Sequence, residues 1–194
     1  MLSCKDGEFK MILKIKSYIF EEVLGSALGL DKYQEILAED KSFTIAFRRK
    51  FIAYFRVRRN KKWQDAYFGL FQDLSEKDDV SFSHIIRELF NLTGQVEPSF
   101  SSKMLHILNP DMPIWDQHVL KSMKIDSRLK GSPENKINQA IENYKILIRN
   151  YKDFLDSKEG KKFIHEFDHK LQSFRSISDL KKVDAFIWKL RNNE

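Results

Sequence analysis

A chain of 194 residues is long enough to bury a core as one domain, or as one domain of two small lobes. Its 42% hydrophobic and 13% aromatic content, with 16 Phe, excludes a disordered chain, and 7 Gly with 4 Pro leave little punctuation for many short strands. The formal net charge of +6 is modest, so its distribution matters more than its sum.

In chain order, residues 9–27 set Phe9, Ile12, Leu13, Ile19, Phe20 and Val23 among charges at helical spacing, predicting one or two helices that end near Gly25 or Gly29. Asp31 is placed to cap a short helix through Leu37. A helix from Ser42 to Arg59 keeps Phe43, Phe47, Phe51, Tyr54 and Phe55 on one stripe. After Asn60 the period continues through Trp63, Tyr67, Leu70, Phe71 and Leu74 until SEKDD breaks it. Ser81 or Ser83 opens the next helix, which carries Ile85, Ile86, Leu89 and Phe90 and stops near Gly94.

Pro98 suits a first helical turn, where its missing amide hydrogen costs nothing, and Pro110 and Pro113 bound the loop that follows. Ser132 and Pro133 are N-cap and first helical residue in order, opening the longest periodic run, Ile137 to Leu155. Two further helices carry Phe163, Phe167, Leu171 and Phe174, then Leu180, Val183, Ile187 and Leu190. The expectation is an all-α fold of about nine helices with essentially no sheet. It covers 1–194 as a single domain, and any two lobes would meet at a cleft near 94–120.

The single Cys4 makes no intrachain disulfide, and no Cys/His cluster offers a structural zinc site. Charges run through the apolar part of the first 22 residues, unlike a signal peptide or a membrane span, so a soluble, reducing, cytoplasmic setting is expected. No cofactor and no membrane partner are implied.

Three constellations carry possible chemistry. His165-Glu166-Phe167-Asp168-His169 fits H-E-x-x-H, the helical zinc pair with a glutamate base. Asp168 and Lys170 intrude on the motif and no third ligand is evident, so a solvated helix face is expected instead of a metal site. Between Lys41 and Lys62 stand nine basic residues (Lys41, Arg48, Arg49, Lys50, Arg56, Arg58, Arg59, Lys61, Lys62) and no acid. Those from Arg48 to Lys62 are candidate phosphate contacts, and the interleaved aromatics are either core or stacking platforms for unpaired bases. Finally, the prolines in PDMPIWDQHV exclude helix before Ile114 and leave Asp116 to N-cap the next one. A carboxylate held there, beside an apolar loop, can face a cationic transition state, and capping is compatible with that role.

The segment Pro98 to Met123, PSFSSKMLHILNPDMPIWDQHVLKSM, runs from a helix with small residues and a Leu-containing face through a Pro-containing loop. A hydrophobic pair, Asp, any residue, His and Val follow. That order resembles the helix-hairpin-helix DNA glycosylase superfamily, notably its archaeal-type 8-oxoguanine branch, and implies an orthogonal helical bundle. The resemblance implies Asp116 as the catalytic carboxylate, with His118 on the neighbouring position. It implies pocket walls from Trp115, Met104 and His106, and phosphate contacts at Gly94 and the basic run. The family's glycine-x-glycine hairpin survives here only as Gly94, and the place of its Schiff-base lysine, counted from there, falls on Pro98. Lys103, the only lysine nearby, lies inside the helix, so lyase chemistry through it is not expected. The leading expectation is a DNA-interacting protein, acting in base-excision repair as an N-glycosylase through Asp116. The alternatives are an inactive binding module of the same fold and a helical protein-binding protein.

Overall fold

The computed structural model describes residues 29–39 and 44–190. Cys4, the helices expected over 9–27 and Lys41 lie outside them. Among the described residues there are nine α-helices, one short 3-10 turn and no strand. The helices are α1 (Leu30–Leu37), α2 (Ile45–Phe55), α3 (Lys61–Ser75), α4 (Phe82–Thr93), α5 (Pro98–Leu108), α6 (Gln117–Ser122), α7 (Pro133–Asp156), α8 (Lys158–Lys170) and α9 (Asp179–Leu190). None is long and apolar enough to cross a membrane.

Most helix starts are set by short polar side chains that satisfy the otherwise orphaned first-turn amides. Thr44, Asn60, Ser81, Asp116, Ser132 and Ser157 accept from backbone N–H groups at the starts of α2, α3, α4, α6, α7 and α8. Pro98 and Pro133 occupy the opening turns of α5 and α7. Asp31 is not the cap of α1: Gly29 holds that position at φ 70, and Asp31 sits in the first turn, where its charge suits the helix dipole. The helix expected to carry Leu171 and Phe174 ends earlier, because Leu171 leaves helical geometry at φ −121 and ψ 61 and the 3-10 turn Gln172–Phe174 follows.

The core is aromatic at one end. Phe51 meets Phe47, Tyr67, Phe68 and Phe71 with ring centroids 5.5 to 6.0 Å apart, so α2 and α3 lock through their rings. Phe47, Phe51 and Trp63 are therefore core and not stacking platforms for bases. Helix α4, with Ile85, Ile86 and Leu89 fully buried, packs against α3, α5 and α7, while α9 packs against α6, α7 and α8. The α5–α6 loop lies where these two groups of helices meet.

Helices α7 and α8 are joined through Ser157 alone. A Cβ on Gly160 would stand 2.0 Å from the Phe154 carbonyl oxygen, so only glycine allows the turn. Gly160→Ala is expected to cost about 1–3 kcal/mol, read as a lower midpoint in thermal unfolding. An unchanged midpoint would contradict this packing.

Candidate functional site

Buried and half-buried polar side chains fix the loop between α5 and α6. The Ser102 hydroxyl accepts from the Trp115 amide at 2.8 Å, the Tyr144 hydroxyl donates to the Pro113 carbonyl at 2.6 Å, and the Ser178 hydroxyl donates to the Pro110 carbonyl at 2.8 Å. His106 Nδ1 lies 2.7 Å from the Met112 carbonyl and Nε2 lies 2.9 Å from the Tyr33 hydroxyl. A carbonyl only accepts, so Nδ1 carries the hydrogen; the neutral ring's Nε2 then accepts from Tyr33. Burial, helped by the nearby Lys181 charge, pushes the His106 pKa down to about 4. Trp115 closes the arrangement, stacked nearly parallel to Phe82, which itself stacks on Tyr144.

The loop delivers Asp116 to the start of α6. Its Oδ1 accepts from the amides of His118 at 2.8 Å and Val119 at 3.4 Å. Its Oδ2 accepts no hydrogen bond from any described residue. The half-buried side chain borders a cavity of about 420 Å³ whose walls include Tyr54, Phe55, Ile114 and Trp188. Lys103 borders the same cavity. Its Nζ donates to the Ser99 hydroxyl at 3.1 Å and lies over the Phe100 and Phe55 rings. Burial lowers the Lys103 pKa against the pull of Asp116 and Glu97. The position inside α5 therefore does not keep this amine from the carboxylate's cavity.

Helix α9 supplies a second acid–amine pair to this cavity. Lys181 Nζ and Asp184 Oδ2 are 2.7 Å apart with only 5% and 7% of their side chains exposed. Tyr151 donates to the other Asp184 oxygen at 3.3 Å. Burial opposes the Lys181 charge, but Asp184 with Tyr54 and Tyr33 holds its pKa above the ordinary lysine value. The rings of Tyr33 and Tyr54 lie 5.1 and 5.9 Å from the ammonium.

Two shallower cavities continue from the first. One of about 380 Å³ shares Asp116 and adds Pro98, Trp115 and His118; the next, of about 470 Å³, shares Glu97 and Ser127 with it and adds Gly94, Arg59 and Lys136. Glu97 pairs with Arg59, whose guanidinium also faces Trp63 and Phe100. Burial raises the Glu97 pKa against Arg59 and Lys103.

The expected site residues thus divide. Asp116, Lys103, Trp115, His118 and Gly94 line these cavities, as do Arg56 and Arg59. Met104 and His106 do not: both are fully buried, and His106 serves the loop instead of forming a pocket wall. Lys50 is engaged by Glu39 and Glu35, Lys61 by Asp65, and Arg48 covers the Phe68 ring. Arg49, Arg58 and Lys62 are exposed. His165 and His169 are exposed on α8 and Glu166 faces Lys162, and no described cluster of three or more such ligands could hold a metal. Lys181 and Asp184 carried no usable sequence signal, because charges at helical spacing read as a solvated face.

Comparison with protein-family models, with curated proteins and with solved structures gives no match.

Because the His106 pKa is depressed, the unfolded chain binds a proton that the folded chain refuses between about pH 6.5 and about pH 4. Stability is therefore present above pH 6.5 and lost as pH falls through that window. His106→Asn, whose amide can still donate to the Met112 carbonyl, is expected to flatten this part of the stability profile in denaturant titrations. A profile identical to wild type would contradict the neutral, loop-holding role.

Proposed function

We propose that the protein is a DNA N-glycosylase that takes an extruded nucleotide into the cavity bordered by α2, α5 and α9 and cleaves its glycosidic bond with Asp116 as the acting carboxylate. The observation that carries this proposal is a division within one side chain: Oδ1 is committed to the α6 amides, while Oδ2 has no described partner and the side chain borders the cavity. A carboxylate held this way needs no reorganisation to stabilise positive charge developing on the deoxyribose, or to orient a water for attack on C1′. The aromatic walls suit a flat base, and the chain of cavities leads past Asp116 and Glu97 to Gly94 and Lys136, where a strand's phosphate can be met. The resemblance of Pro98 to Met123 to the glycosylase core supports the same assignment.

A second reading is favoured by Lys103, whose lowered pKa enlarges the neutral, nucleophilic fraction of an amine on the same cavity. In it the amine nitrogen bonds to C1′ and the base leaves with the glycosidic electron pair. Asp116 relays the amine proton to the departing base. Sugar ring opening then gives an imine, from which the C2′ proton and the 3′ phosphate are eliminated.

Asn caps a helix about as well as Asp, so Asp116→Asn removes the charge and keeps the cap. Duplexes carrying oxidised, deaminated and alkylated bases test the assignment. Wild type is expected to release one of these bases, and Asp116→Asn to lose about 100-fold or more of that rate while melting like wild type. Borohydride trapping of wild type but not Lys103→Gln selects the second reading. Equal behaviour of wild type and Asp116→Asn across the panel leaves Asp116 as a helix cap only.

A further inference from the structure

The mouth of the cavity carries charge that the interior does not explain. Lys181 is answered by Asp184, and Lys103 faces Asp116 within the same walls. The remaining cations, Lys32 of α1 and Arg56 at the end of α2, are exposed, so they sit at the opening. Neither side chain has a hydrogen-bond, ion-pair or ring partner among the described residues.

Arg56 is also held in an uncommon backbone conformation. It ends α2 at φ 51 and ψ 50, in the left-handed region, with its own amide and that of Val57 both donating to the Ile52 carbonyl. Only Lys124 among the other described non-glycine residues has a positive φ. At the corresponding end of α4 the chain uses Gly94, at φ 69, which adopts this geometry without a Cβ clash. An arginine thus takes a position that favours glycine, at the mouth of the candidate site and with no side-chain partner among the described residues.

We infer that Arg56, supported by Lys32, binds the DNA phosphate that flanks the nucleotide entering the cavity. This rests on the proposal that the cavity takes an extruded nucleotide. Entry of a nucleotide carries its own phosphates to the opening, and a guanidinium meets a phosphate with two parallel N–H donors. The contact is distinct from the Gly94 end of the cavity chain, which lies on the α4–α5 side.

The test uses the full chain and labelled duplexes containing a tetrahydrofuran abasic analogue, which need no base release. Affinity is followed by anisotropy across a sodium chloride series, with one flanking phosphate at a time replaced by an uncharged methylphosphonate. For Arg56→Gln the slope of log affinity against log salt is expected to shrink by about 0.9, the share of one phosphate contact. One methylphosphonate position should weaken wild type and leave Arg56→Gln unaffected. Arg56→Gly should bind as weakly as Arg56→Gln yet melt about 1–4 °C above wild type, since glycine relieves the strained turn.

Unchanged slope and affinity in both variants overturn the assignment, as does a wild type without DNA affinity at low salt. A wild type that shows the phosphate contact but releases no base from any lesion keeps Arg56 in this role and removes the glycosylase proposal. Base release that persists while Arg56→Gln binds like wild type does the reverse.

Discussion

The structure depends on the hydrogen bonds that buried and half-buried side chains make to the loop between α5 and α6. Ser102 and His106 reach it from α5, Tyr144 from α7 and Ser178 from just before α9. Each is worth about 1 kcal/mol net, but a buried carbonyl or amide left without its partner costs more than that. The loop therefore has one conformation once three separate parts of the chain have docked, and Asp116 inherits its direction. Packing that looks remote, such as Tyr144 stacked on Phe82 and Phe82 beside Trp115, in this way sets where a carboxylate faces.

Charge is allotted with the same economy. Inside, ammonium and carboxylate are matched: Lys181 with Asp184, and Lys182 with both Asp168 and Asp179. Breaking one partner of such a pair strands a buried charge, and the contacts of Lys182 with Asp168 and of Asp184 with Tyr151 tie α9 to α8 and α7. Half of the described basic run between Arg48 and Lys62 is spent on the protein itself, through Lys50 with Glu39, Arg59 with Glu97, Lys61 with Asp65 and Arg48 over Phe68. Of the cations left over, Arg56 stands at the cavity mouth, while Arg49, Arg58 and Lys62 are exposed away from it.

The helices were legible because their signals are local. Apolar stripes recur at helical spacing, and Ser81, Asp116 and Ser132 stand where their side chains meet first-turn amides. The site was legible only where a residue's role is also local, as for Asp116, whose cap follows from the prolines before it. Met104 and His106 share a helix with Lys103, yet the turn of that helix buries the first two and leaves the third in the cavity, a distinction that spacing within PSFSSKMLHIL does not draw. Lys103 lies inside the helix as counting from Gly94 places it, but that it borders the cavity depends on how α5 lies against α2, a tertiary fact. The charges of LKKVDAF, which stand off the stripe of Leu180, Val183 and Ile187, are buried with partners from α8, α7 and the same helix.

The central claim is that Asp116 faces positive charge on a deoxyribose and does more than cap α6. It is tested most directly by comparing duplexes that carry a cationic pyrrolidine or a neutral tetrahydrofuran in place of the target sugar. Wild type should bind the cationic duplex about 10-fold or more tighter, and Asp116→Asn, with the cap intact, should bind the two alike. Equal affinities in wild type, or a preference that survives in Asp116→Asn, would contradict the assignment.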